Sequence, residues 1–306
     1  MTGKTLPSYD ELPQLADLGV RHSWGLLPHD AGTLTFIGPA QVQRAAATVS
    51  EGRVFALSEP IATFEQPLFG RDALTHSVVE VGRNELEDVF DRLNPQAYSQ
   101  IDGLAHVRAR EFGFYGGHVD IGEARERLGM HHWAERAISG RGVLLDVHRS
   151  RQARGQVDDP LAGSPILPSE LDTVAREQGV CLERGDIVLV RTGWLEAYRG
   201  RTTDQPVTAW NGLHAGEATA RFLWDTGVAL LGADNPAVED APGSRDAGSL
   251  HRRLLPALGL SLMELLRLDE LATACSDAGR WEFLFTAAPL PVHGAVSSPA
   301  NALAIL

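Results

Sequence analysis

Three short apolar runs mark the middle of the chain: Gly142-Val-Leu-Leu-Asp-Val147, Asp186-Ile-Val-Leu-Val-Arg191 and Val228-Ala-Leu-Leu-Gly232. Short runs with no polar alternation, bounded by glycine, predict strands buried on both faces. Helical patterns lie between and after them. Residues 168–178 open with Pro168-Ser169 and stop at Gly179, the usual start and stop signals. Residues 215–225 carry Ala218, Phe222 and Leu223 on one face, with Gly227 just past the end. Residues 269–278 predict a further helix and 41–49 a short one. Strands are expected at 53–57 and at the aromatic-rich 281–285, with a loop-like tail over 289–299. Strands alternating with helices predict an α/β fold around buried central strands. Residues 1–30, rich in Pro, Asp and Gly, read as an arm with Trp24 as its anchor. No linker interrupts 31–306, which is taken as a single domain.

Composition narrows the function classes more than the fold. The chain has 306 residues, 43% hydrophobic and 22% charged, enough to bury a full core. No apolar run is long enough to span a bilayer, and the opening segment lacks the apolar centre of a signal peptide. The expected location is therefore cytoplasmic. A net charge of -13 works against nucleic-acid and anionic-membrane partners and leaves a small-molecule substrate as the expected one. Cys181 and Cys275 fit no metal or redox spacing and read as two small buried residues.

The densest candidate chemistry lies in Gln96-Ala-Tyr-Ser-Gln-Ile-Asp-Gly-Leu-Ala-His106. If this stretch is extended, Gln100, Asp102 and His106 fall on one face, because side chains alternate along a strand. An amide oxygen, a carboxylate and an imidazole together could hold a divalent cation beside a proton-transfer base. A polar strand edge or a helix-capping aspartate explains the same residues without function. His118 could add a ligand or pack on the surface. His131 and His132 suit a helix start with one buried imidazole, and His214 suits a cap or a substrate contact. Asp234 and Glu239 follow a strand end, where α/β folds place both salt bridges and catalytic groups. Gly140-Arg-Gly142 is no phosphate loop, since it lacks the Lys-Ser/Thr pair. Gly193 predicts a tight turn, and the absence of a Gly-x-Ser-x-Gly elbow argues against a serine nucleophile.

Several blocks in fixed order resemble the metal-dependent cyclase family, which includes arylformamidases (kynurenine formamidases) and isatin hydrolases. Its members carry HxGTHxDxPxH, whose histidines and aspartate hold the metal and whose last His is the acid/base. Aligned on Asp102, Gln96 and Gln100 stand at the two leading His positions, Ser99 at the Thr, Leu104 at the Pro and His106 at the final His. This is similar to a longer subgroup reading QxDxLxH. Gly140-Arg-Gly-Val-Leu-Leu-Asp-Val147, Gly185-Asp-Ile-Val-Leu-Val-Arg-Thr-Gly-Trp194 and Gly232-Ala-Asp-Asn-Pro-Ala-Val-Glu239 are similar to later family blocks, and His251 with Glu264 to a second metal-binding pair. The resemblance covers roughly residues 20–306. It implies a swivelling β/α fold with a central sheet or partial barrel flanked by helices, and a homodimer or homotetramer.

The activity it implies is hydrolysis of an amide, lactam or related acyl bond in a small aromatic or cyclic substrate. Gln100, Asp102, His251 and Glu264 are the expected ligands, His106 the acid/base, and Glu264 is assigned to catalysis as well. Trp24, Tyr115, His118 and His214 are the candidate substrate contacts. With Phe112 and Phe114, the aromatic ones could equally be core. Amide oxygens in place of imidazoles favour Mn(2+) over Zn(2+) as the cofactor. The competing expectation is a metal-poor member acting as a ring-forming cyclase or small-molecule binder.

Overall fold

The computed structural model describes residues 6–28, 30–202 and 205–306. Its centre is a curled nine-stranded sheet flanked by helices. In chain order the strands are β1 (Val54–Ala56), β2 (Gln100–Asp102), β3 (Ile138–Asp146), β4 (Ile187–Arg191), β5 (Leu230–Ala233), β6 (Ser261–Glu264), β7 (Glu282–Ala287), β8 (Ser297–Pro299) and β9 (Ala302–Ile305). Across the sheet they run β8-β2-β6-β5-β4-β3-β7-β9-β1. The four strands from β3 to β6 are parallel, and both flanks are antiparallel.

The three apolar runs of the sequence become β3, β4 and β5, and their lack of polar alternation has a packing cause. Val143, Leu145, Val188, Val190 and Leu231 enter one apolar core, and Leu144, Ile187, Leu189 and Leu230 enter the other. A parallel strand covered on both faces has no solvent side to alternate with. The first face is covered by the helices Pro168–Glu177 and Glu217–Thr226, through Leu171, Val174, Ala220 and Leu223. Asp269–Ala278 covers the second through Leu271, Ala274 and Cys275. The helix over Pro39–Ala46 and strand β1 are shorter than the predicted spans, while Asp269–Ala278 matches its prediction.

Four expectations need correction. The tail is not all loop: Ser297–Pro299 pairs with β2, sealing the edge beside Asp102. The 96–106 segment is extended only over Gln100–Asp102, preceded by a 3-10 turn at Pro95–Ala97 and followed by a turn that closes on His106. Cys181 is exposed, and only Cys275 is buried. Of His131 and His132, which do open a helix, neither imidazole is fully buried.

The N-terminal segment packs as much as it drapes. Tyr9 and Leu12 are buried, and the Tyr9 amide donates to Asp225 Oδ1 at 2.7 Å. Trp24 Nε1 donates to the Pro256 carbonyl at 2.7 Å, an anchor of the predicted kind. A hairpin over Thr75–Gly82 and Glu85–Asp91 stands off the body, with Val78, Leu86 and Phe90 exposed. Among the described residues no helix is long and apolar enough to cross a membrane.

Packing between β3 and β7 depends on a glycine. A Cβ at Gly142 would lie 2.1 Å from Cε2 of Phe283, which is fully buried. Gly142→Ala is expected to destabilise the protein by roughly 1–3 kcal/mol, as overpacking of a filled core does. Chemical denaturation checks this; an unchanged midpoint would show that Phe283 can move aside.

Candidate metal centre

The site forms where the parallel block ends. β6 is its last strand, and β2 pairs with it antiparallel, placing Gln100 opposite Glu264 and Asp102 opposite Leu262. Residues directly opposed in a ladder, and residues two apart in a strand, share a face. Gln100, Asp102 and Glu264 therefore project together, on the face of Leu262. His251 reaches the same place from the short helical turn Leu250–Arg252, which Ser249 caps through its hydroxyl. The turn runs into a π-helix, Arg253–Leu258, that contains Pro256. Proline has no N–H to donate, which suits a widened and irregular helix.

Ligand atoms of Asp102, His251 and Glu264 lie within 4.8 Å of one another. His251 Nε2 is 3.0 Å from Glu264 Oε1, and its Nδ1 is 2.8 Å from Glu239 Oε1. Gln100 Nε2 donates to Glu264 Oε2. Neither oxygen of the buried Asp102 carboxylate, nor Gln100 Oε1, has a hydrogen-bond partner among the described residues. Buried carboxylates are ordinarily paired, so this one stands ready for a cation. Burial chiefly, with help from the charge of Glu264, pushes the Asp102 carboxyl well above its ordinary pKa against the pull of His251 and Arg71. His251 moves well above its ordinary value: burial opposes this, but the bonds and charges of Glu239 and Glu264 outweigh it.

The donor set fits a divalent cation. One imidazole and two carboxylates, with an amide oxygen beside them, make an oxygen-rich cluster. Glu239 Oε1 can accept a hydrogen bond from the Nδ1–H of His251, which leaves the Nε2 lone pair facing the carboxylates, as a metal-ligating histidine requires.

His106 stands at the edge of this cluster, its Nε2 3.8 Å from Asp102 Oδ1. The turn after β2 brings it there, with the His106 amide bonding the Gly103 carbonyl at 3.0 Å. A Cβ at Gly103 would lie 2.8 Å from Met130 Sδ and 3.0 Å from the Val296 carbonyl, so glycine lets the turn pack closely against both. Burial first, then the positive charges of His251 and Arg71, lowers the His106 pKa to about 4. Its Nδ1 meets Gln96 Nε2 at 3.2 Å. Both glutamines at the resembling histidine positions thus stay in the site as hydrogen-bonding groups.

Other candidates fall elsewhere. His118 pairs with Glu123 at 3.3 Å, and His214 Nδ1 accepts from the Gly216 amide at 3.2 Å beside a helix start. Tyr115 is fully buried, its hydroxyl 3.3 Å from Ser23 Oγ, and burial raises its pKa to about 12. Trp24 packs against Gly117. Neither His118 nor His214 is among the groups that could hold a metal ion with Asp102. Gly193 has φ +82, and a Cβ there would strike the His148 ring at 2.6 Å, so the neighbour its turn admits is an imidazole. Asp234 is a clasp: it accepts from the Thr192 amide and hydroxyl and from the Gly193 amide, tying the end of β5 to that of β4. Glu239, weighed equally with Asp234 from sequence, is the one that reaches the site. Sequence reasoning missed Arg71 altogether; its guanidinium acts on Asp102, Glu264 and His106, and no spacing signal announces it.

The Cyclase family model matches residues 55–240. No protein among the curated sequences matches. Among solved structures, one described as a novel cyclase is 28% identical with a TM-score of 0.79, covering 93% of this chain and 99% of that one. Isatin hydrolase A from Labrenzia aggregata, bound to benzyl benzoate, is 16% identical with a TM-score of 0.59, covering 86% and 98%. A predicted metal-dependent hydrolase from Bacillus stearothermophilus is 17% identical with a TM-score of 0.50, covering 82% and 97%. The last two likenesses speak for the fold.

Burial chiefly raises the Asp234 carboxyl to about 6, against the bonds of Thr192 and the charge of Arg191. The folded state therefore keeps a proton that the unfolded chain releases at lower pH, and this contribution to stability is lost as pH rises through about 6. The stability of wild type relative to Asp234→Asn is expected to fall between about pH 4 and 6.5, measured by urea denaturation. A pH-independent difference would contradict it.

Proposed function

The chain belongs to the cyclase family, and on that premise we propose that it is a metal-dependent hydrolase opening an amide, lactam or related acyl bond of a small aromatic or cyclic substrate. The observation that supports this reading is the buried Asp102 carboxylate, without a hydrogen bond among the described residues, beside His251 and Glu264. Asp102, Glu264 and His251 Nε2, with Gln100 beside them, are the groups that would hold the cation. Their oxygen-rich character favours Mn(2+) over Zn(2+). A divalent cation in such a site lowers the pKa of water and polarises a carbonyl.

The chain's own groups divide the remaining work. Glu239 orients His251. His106, with a pKa near 4, is neutral at physiological pH and free to accept a proton from the attacking water and deliver it to the leaving nitrogen. Gln96 can present either end of its amide to His106 Nδ1, so it supports the imidazole with its ring proton on either nitrogen. Cleavage then adds hydroxide to the acyl carbon and a proton to the leaving group, giving a carboxylic acid and an amine.

Dialysis against a weak chelator, metal analysis and assay on an amide and lactam panel test the reading. Bound metal near one per chain is expected, with turnover lost on its removal. His106→Ala is expected to lower kcat by roughly 10²–10⁴ while metal content holds. Full activity without stoichiometric metal would overturn the proposal. Parallel loss of metal and turnover in His106→Ala would make His106 a ligand.

A further inference from the structure

Arg71 approaches the site from outside the elements that carry its ligands. It follows the turn Leu68–Gly70, where Phe69 holds a left-handed backbone at φ 64. A bulky side chain seldom adopts that conformation, and it persists where the surroundings fix it. Here the Phe69 ring packs edge-on against Trp210, with centroids 5.8 Å apart, and carries the Arg71 guanidinium 4.8 Å from its own centroid. Arg71 Nη1 donates to the Gln96 carbonyl, and the Gln96 side chain meets His106. Arg71, Gln96, His106 and Asp102 therefore follow one another into the site.

Nothing acidic is paired with this guanidinium at ion-pair distance among the described residues, although Asp102 and Glu264 lie near enough to act on it. A backbone carbonyl and an aromatic face hold it in place while leaving its charge and its remaining donors for another group. Arginine presents such donors in a planar fork that matches a carboxylate. Acyl hydrolysis creates a carboxylate in a site that already holds Asp102, Glu239 and Glu264. A bound metal offsets part of their negative charge, and a fixed guanidinium at the rim of the site adds a positive group that is not itself among the metal's ligands.

We infer that Arg71 is a specificity-determining residue that binds an organic carboxylate, carried by the substrate or released as product, beside His106 in the site. This rests on the hydrolase reading for the identity of the site and not on any turnover. The preferred substrates are then amides or lactams that bear or yield an aromatic or cyclic carboxylate.

Calorimetric titration of the manganese-loaded protein with benzoate, and with benzamide as its neutral counterpart, tests the inference. Arg71→Gln is expected to weaken benzoate binding by about tenfold or more, leaving benzamide and manganese affinities within about twofold. Arg71→Lys, which keeps the charge and loses the fork, should fall between. An unchanged benzoate affinity in Arg71→Gln, an equal loss for both probes, or no benzoate binding by wild type would overturn it. Arg71-dependent benzoate binding in a protein that hydrolyses no amide would uphold this inference while the hydrolase reading failed.

Discussion

A carboxylate taken out of water and given no hydrogen bond is costly, by several kcal/mol even after the surroundings relax. Asp102 is such a group, and the surrounding structure is arranged to keep it so. The antiparallel register of β2 on β6 turns it onto the same face as Gln100 and Glu264, while β8 closes the other side of β2. Its nearest basic neighbour, His106, stops at 3.8 Å, beyond a hydrogen bond. A fold that needed only stability would have filled this place with an apolar side chain.

The parallel block explains where the site lies. In open α/β sheets ligands commonly bind beyond the carboxyl ends of the strands. At the ends of β3, β4 and β5 those positions are spent on structure: Arg191 bonds Asp146 at 3.1 Å, and Asp234 clasps Thr192 and Gly193. The carboxyl end of β6 is different. There Glu264 faces β2, and His251 comes over it from an irregular helix with its ring set by Glu239. The switch from parallel to antiparallel pairing is what brings residues from distant parts of the chain to one face.

Much of the frame was legible because local rules and packing agree there. β3, β4 and β5 are buried on both faces, so their sequences are apolar throughout, and the helices between them carry ordinary start and stop residues. The site was legible only in part. Gln100 and Asp102 do share a face through strand alternation, but His106 arrives by a turn, and even spacing suggested it for the wrong reason. β8 was hidden because Ser297-Ser-Pro299 has neither apolar content nor β-branching, and its pairing with β2 is a long-range event. Arg71 and Glu239 owe their positions to contacts with Gln96 and His251, and no residue beside them in sequence encodes that. Asp234, equal to Glu239 in sequence terms, was separated from it by tertiary geometry alone.

Anomalous X-ray scattering from crystals grown with manganese would locate a cation held by Asp102. A single strong peak is expected between the carboxylates of Asp102 and Glu264 and Nε2 of His251. A map with manganese present in the crystal and no peak there, or with Asp102 hydrogen-bonded to another side chain instead, would contradict it.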